Sequence, residues 1–209
     1  MTKAPNLGNK VFSFKKPSRS VKRVFIHCSD SDYPQHDNVF TIDQWHRKRG
    51  WNCIGYHFFI NKAGEVFYGR DIEEVPSAQE GYNTNSITVC CSGAQNFTKN
   101  QFLSLREFCQ QINIAYNKEI TFHGHCEVST KLCPVFDYKS VLNLSGGYIQ
   151  ESIPRGTILT NPAEPTSSQE PNPKVKTPTE IAPTPRLVVP QSIPPKEVSF
   201  WSKVKSILS

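Results

Sequence analysis

Eleven of the chain's sixteen prolines fall between Pro154 and Pro195, interleaved with Thr, Ser, Glu and Gln and almost free of aromatic residues. Such a stretch cannot bury enough apolar surface to offset the entropy of ordering it, so it reads as a linker over residues 153–196, partly extended as polyproline II. The same stretch explains why hydrophobic residues make up only 37% of the 209. What is left for folding lies between about Val21 and Ser152, a length that suits one hydrophobic core.

Charge is placed just as unevenly. Residues 1–23 carry seven Lys or Arg and no acid, residues 24–153 are net −4, and residues 154–209 are net +3, giving +6 overall. Residues 1–22 therefore read as a basic arm, either a solvated tail or a contact for a polyanion. No run approaches the ~18 consecutive apolar residues of a membrane span, which excludes a transmembrane protein. The basic amino terminus lacks the apolar stretch and small-residue cleavage site of a secretory signal, so cytosolic synthesis is expected. Seven cysteines cannot all pair, and adjacent Cys90 and Cys91 do not resemble a spaced disulfide framework. Most are read as small buried hydrophobes.

Within the folding segment, Val24-Phe25-Ile26 is a short β-rich run. Tyr56 to Ile60 and Glu65 to Tyr68 read as two strands around an Asn61-Lys62-Ala63-Gly64 turn, and Ile87 to Cys91 as a buried strand. Thr41 with Gln44 and Thr98 with Gln101 have capping-box spacing, and the second pair opens onto Phe102, Leu105, Phe108, Cys109 and Ile112 at helical period. A last strand is expected at Ile120 to Phe122, and a short helix near Asp137. The pattern predicts an α/β fold with a single mixed β-sheet flanked by helices.

The segment His123-Gly-His125-Cys126-Glu127, followed by Lys131-Leu-Cys133-Pro134, gathers several borderline and soft metal ligands into a short loop. Zinc is the natural candidate for such donors. The spacing is not that of a zinc finger, and the residues alone leave open whether the loop holds a metal or collects incidental polar groups. A third ligand has to come from elsewhere. His27, directly after Val-Phe-Ile, stands where a strand-end side chain either projects into a cleft or plays a structural part.

Several blocks taken in order resemble a known family. They are Val24-Phe-Ile-His27-Cys-Ser29, Gln44-Trp45-His46, Gly50-Trp51, Gly55-Tyr56-His57-Phe58, Gly69-Arg70-Asp71, Gly81-Tyr82-Asn83-Thr-Asn85-Ser86-Ile87, and His125 through Asp137. Together they are similar to the zinc N-acetylmuramoyl-L-alanine amidases, in particular the phage lysozyme-type amidases that share the peptidoglycan recognition protein fold. The resemblance spans nearly all of residues 23–140 and implies a zinc amidase domain over 23–152. It implies that His27, His125 and Cys133 are the zinc ligands and that Tyr56 and Lys131 are the pair required for hydrolysis. It further implies that Asn83, Asn85 and Ser86 line the substrate groove. Two departures stand out: Cys126 occupies a position where the phage relatives carry a second His, and His123 is extra. Either offers a route to a shifted coordination shell.

Two imidazoles and one thiolate leave a fourth position for water, the arrangement of a catalytic rather than a structural zinc site. Trp45 and Trp51, which flank Arg47-Lys48-Arg49, fall on family positions and are read as packing, so no specific nucleic-acid binding is expected. His46 and His57 are read as structural. The resemblance implies an endolysin that cleaves the bond between N-acetylmuramic acid and L-alanine in peptidoglycan by zinc-activated water. Such a monomer is made in the host cytoplasm and acts on the cell wall after release. The alternative is a regulatory protein of the same fold that binds peptidoglycan or a phage RNA polymerase; Cys133 argues against recognition without cutting, whereas polymerase binding stays open beside catalysis. Finally, residues 197–209 regain helical spacing. Phe200, Trp201, Val204, Ile207 and Leu208 fall within an arc of about 120° opposite Ser202, Lys203 and Ser206, which suggests an amphipathic helix lying on an anionic membrane, on a groove of the amidase domain or on a partner protein.

Overall fold

The computed structural model describes residues 6–150. The linker and terminal helix expected over residues 153–209 lie outside the described residues. Five strands form the central sheet in the order β3-β2-β4-β1-β5. They are β1 (Arg23–Cys28), β2 (Phe58–Ile60), β3 (Val66–Tyr68), β4 (Ser86–Cys91) and β5 (Thr121–Gly124). Strands β2, β4, β1 and β5 run parallel, and β3 turns back antiparallel on β2. The expected mixed sheet is present.

Both faces of the sheet are covered, which is why β1 and β4 read as apolar runs rather than alternating ones. On one face Val24, Ile26, Ile87, Val89, Phe58 and Ile60 pack against α2 (Lys99–Ala115) through Leu105, Phe108, Cys109 and Ile112. On the other, Phe59 and Cys90 pack with Ile54 and with Val39 and Ile42 of α1 (Val39–Lys48). His27 pairs in register with Cys90, so its side chain belongs to the α1 face, near the carboxyl end of β1. In open sheets built from parallel strands, that end is where ligands bind.

Local signals decide the boundaries. The Thr98 and Gln101 capping box forms in both directions at the start of α2. The Thr41 box does not, because Asn38, in extended conformation three residues earlier, caps Phe40 N–H and starts α1 there. At the β2–β3 turn, Gly64 has φ +85° and its N–H returns to Asn61 O, a conformation that disfavours a side chain. A short α3 (Tyr138–Leu142) begins from an Asp137 cap, followed by a small hairpin, β6 (Leu144–Ser145) with β7 (Tyr148–Ile149).

Residues 6–22 do not form the separate basic arm that their charge suggested. Leu7 is buried, Gly8 N–H bonds Tyr68 O, and Val11 N–H bonds Val66 O, so the segment extends the sheet edge beside β3. Phe14 wedges its ring 6.2 Å from that of Phe58 and 6.0 Å from that of Phe108, and its N–H reaches Gln111 Oε1. Arg19 donates to the carbonyls of Ile72 and Ser86. The apolar residues spaced between the lysines hold the segment down while Lys15 and Lys16 remain exposed. Phe14→Ala is accordingly expected to destabilise the domain by about 2 kcal/mol in urea unfolding, against less than ~0.5 kcal/mol for Phe12→Ala at an exposed ring. A loss below ~0.5 kcal/mol for Phe14→Ala as well would mean that this ring contributes nothing to the fold.

Two histidines serve as internal backbone acceptors. His46 Nδ1 accepts Gly55 N–H at 2.9 Å, and His57 Nδ1 accepts Thr88 N–H at 3.0 Å while its Nε2 faces Glu74 O at 3.0 Å. Each is thereby fixed as a neutral tautomer. Burial pushes His57 down to about 3 and His46 to about 4. On acidification the unfolded chain takes up these protons near pH 6.5 while the fold refuses them, so stability rises with pH across this window and is lost as pH falls below 6.5. For His57 the loss between pH 7 and pH 5 is about 2 kcal/mol. His57→Gln is expected to show a correspondingly smaller drop in urea midpoint over that range, and an identical drop would contradict the assignment.

Candidate metal centre and substrate groove

His27 is buried at the end of β1, His125 opens the single 3-10 turn after β5, and Cys133 sits on the loop that follows. Three separate stretches thus deliver three donors whose ligand atoms all lie within 4.8 Å of one another. His27 Nδ1 is 3.8 Å from Cys133 Sγ, and the two imidazole centroids are 4.6 Å apart. Two imidazoles and a thiol at this separation fit a tetrahedral zinc ion with an open fourth position. The turn and loop are tied together by Cys126 N–H to Cys133 O at 2.5 Å and Cys133 N–H to Lys131 O at 3.0 Å.

The electrostatics keep these donors ready to ligate. Burial, reinforced by His125 and Lys131 nearby, lowers His27 to about 3, and burial likewise lowers His125, so both rings are neutral at pH 7. Cys28 Sγ lies 3.9 Å from Cys133 Sγ, within reach of a weak thiol hydrogen bond. Hydrogen bonding between them draws Cys28 down to about 7 and pushes Cys133 up. The Cys28 backbone N–H lies 3.3 Å from Cys133 Sγ, a contact that opposes the rise at Cys133 without cancelling it.

The centre lies where two clefts meet. One, about 670 Å³, is lined by Trp45, Arg49, Tyr56, Leu132 and Val135 together with His125 and Cys133. The other, about 630 Å³, is lined by Ser77, Glu80, Asn83, Val128 and Ser129, and the two share Trp51, Ala78, His125 and Lys131. Tyr56 places its ring 5.1 Å from that of His27 and 5.3 Å from that of His46. Burial raises its phenol well above the usual range, so it stays protonated at neutral pH. The preceding Gly55 is required by close approach, since a Cβ there would stand 2.1 Å from Ser77 O.

The structure brings together all five residues expected at the centre, His27, Tyr56, His125, Lys131 and Cys133. Other expectations change. Ser86 is fully buried, its hydroxyl held between Gln79 and Asn83 O, so direct substrate contact is corrected to an internal role. Asn85 takes a left-handed turn into β4 at the end remote from His27 and lines neither cleft. Asn83 does line the second cleft, with Oδ1 accepting the N–H groups of Ala78 and Gln79.

Among the described residues, neither His123 nor Cys126 belongs to the ligand cluster. His123 is held by Glu127 and Thr121, and Glu127 also accepts from Tyr138 and pairs with Lys139. Trp45 and Trp51, read as packing, form cleft walls as well, with Trp51 4.6 Å from the His46 ring. Sequence reading missed Gln79, a buried residue whose Oε1 lies 3.1 Å from His27 Nε2. No local motif marks it.

Residues 17–136 match the family described as N-acetylmuramoyl-L-alanine amidase. The endolysin of Enterobacteria phage T3 is 39% identical over 132 residues, covering 59% of this chain and 87% of the relative. Among solved structures, the N-acetylmuramoyl-L-alanine amidase LysC from Clostridium intestinale URNW superposes with a TM-score of 0.56 at 24% identity, over 69% of this chain and 96% of that one. The Drosophila peptidoglycan recognition protein SD does so with a TM-score of 0.51 at 19% identity, over 61% of this chain and 82% of that one. The last two speak for the fold, and the family match over more than half the chain places the sequence itself: this chain belongs to the N-acetylmuramoyl-L-alanine amidase family.

Proposed function

We propose that the protein is an endolysin-type peptidoglycan hydrolase that cleaves the amide between N-acetylmuramic acid and L-alanine, with zinc held by His27, His125 and Cys133. The observation that carries the reading is the convergence of these three donors where two clefts join. A bond between a glycan and a peptide has two chemically different arms, and a two-armed groove with a reactive centre at the elbow suits it. Zinc bound there supplies a Lewis acid that polarises the scissile carbonyl and acidifies water.

The chain's own residues position and neutralise charge. Tyr56, protonated at neutral pH, is placed to donate a hydrogen bond to the carbonyl oxygen as negative charge builds on it. Lys131, shared by both clefts, offers a second donor and a cation to the same oxygen. The aromatic walls Trp45 and Trp51 exclude water from the substrate's flanks. Contact of residues 197–209 with an anionic membrane and binding of a phage RNA polymerase are separate proposals from the sequence alone. Among the described residues no helix is long and apolar enough to cross a membrane.

The test is product analysis by mass spectrometry after digestion of purified peptidoglycan, with zinc content measured on the same sample. Released peptides bearing a free L-alanine amino terminus and glycan strands with intact lactyl groups are expected. New reducing ends on the glycan, or peptides cut within the stem, would overturn the assigned bond.

A further inference from the structure

We infer that Gln79 is a positioning residue that fixes the tautomer of His27 and so decides which ring nitrogen faces the metal centre. This rests on the zinc reading above only for its consequence, since the hydrogen-bond argument stands on the protein alone. It starts at a group that cannot change its role. The carbonyl oxygen of Asn83 only accepts, so at 2.7 Å it takes the single hydroxyl proton of Ser86. Ser86 Oγ then has only lone pairs left for Gln79, 2.7 Å away, and must accept from the Gln79 amide NH2. The amide is thereby oriented with Oε1 toward His27 Nε2 at 3.1 Å. An amide oxygen only accepts, so the proton sits on His27 Nε2 and the lone pair on Nδ1. That lone pair is on the nitrogen lying 3.8 Å from Cys133 Sγ.

The relay is built rather than incidental. His27, Gln79 and Ser86 are each about 1% exposed or less, so water does not compete for these contacts. The turn carrying Gln79 is closed by Asn83, whose Oδ1 accepts the Ala78 and Gln79 N–H groups at 3.0 Å, and by Tyr82 N–H to Gln79 O at 3.0 Å. Thus Asn83 sets the position of Gln79 with its side chain and the direction of the relay with its carbonyl. The expected Asn83 and Ser86 therefore matter to the centre through His27. Outer partners of this kind typically change metal affinity by about 10–100-fold when lost.

The test uses the full-length chain with Gln79→Met, which keeps the volume and loses both polar contacts, and Gln79→Glu, whose carboxylate can still accept from His27 Nε2–H. Zinc affinity is measured by chelator competition, and the His27 tautomer by ring 15N shifts in chelated protein. Gln79→Met is expected to weaken zinc binding about 10–100-fold and to populate the Nδ1–H tautomer. Gln79→Glu is expected to keep the Nε2–H form and to recover most of the affinity. Should Gln79→Met fail to fold, Ser86→Ala, which frees the amide to rotate, is expected to show the same mixed tautomers.

An unchanged His27 tautomer in Gln79→Met, or in Ser86→Ala where that variant stands in, overturns the inference whatever the zinc affinity. So does equal weakening by Met and Glu, which would make Gln79 a packing residue. A wild-type chain that binds no zinc would refute the metal reading instead, and the tautomer measurement would still decide this one.

Discussion

Cys133→Ala is expected to lose bound zinc and to lower peptidoglycan hydrolysis by at least about 1000-fold, and His27→Ala and His125→Ala are expected to do the same. Each removes one of the three donors proposed among the described residues, and a site left with two loses both affinity and geometry. A bound metal contributes several kcal/mol of charge stabilisation in reactions of this type, and about 4 kcal/mol is already a thousandfold in rate. Cys126→Ser is the informative control. Cys126 is exposed and outside the cluster, so its substitution should leave zinc content and turnover within about twofold of wild type. Circular dichroism and unfolding midpoints on the same preparations separate metal loss from unfolding. Full activity in a zinc-depleted Cys133→Ala protein would refute the ligand set, and zinc loss in Cys126→Ser would revive the shifted shell.

The contrast between these two cysteines shows what the sequence could and could not tell. Strands β1, β2 and β4, the turn at Asn61–Gly64 and the Thr98 cap were legible because each depends on neighbours within a few residues. The five residues that the structure brings together at the centre stood out in the sequence because they sit in blocks that resemble a known family. Residues 6–22 were misread because charge was counted and spacing was not: Leu7, Val11 and Phe14 pack against the domain while the lysines among them face out. The two-residue strands β6 and β7 are too short to leave a period. Gln79 was invisible for another reason. Its role exists only when β1, the turn before Asn83 and the start of β4 meet, and none of its partners is adjacent in sequence.

Turnover by Tyr56→Phe is expected to fall about 100-fold or more with zinc content unchanged. The substitution keeps the ring, and so the packing against His27 and His46, and removes only the hydroxyl. Because burial raises this phenol well above its ordinary range, it holds its proton at neutral pH, which suits the donor role proposed for it rather than that of a base. The loss of one donor aimed at a developing oxyanion typically lowers turnover by about 100- to 1000-fold, most of it in kcat, since the charge appears only in the transition state. Lys131→Ala should behave in the same direction. Lys131 is exposed on the loop that carries Cys133, so its side chain can be removed without opening the core. If both act on one oxygen, the double variant should lose less than the product of the single losses. Steady-state kinetics on soluble muropeptides, with zinc measured in parallel, read all three variants. Zinc loss in Tyr56→Phe would make Tyr56 a support for the centre, and full turnover would remove it from the chemistry.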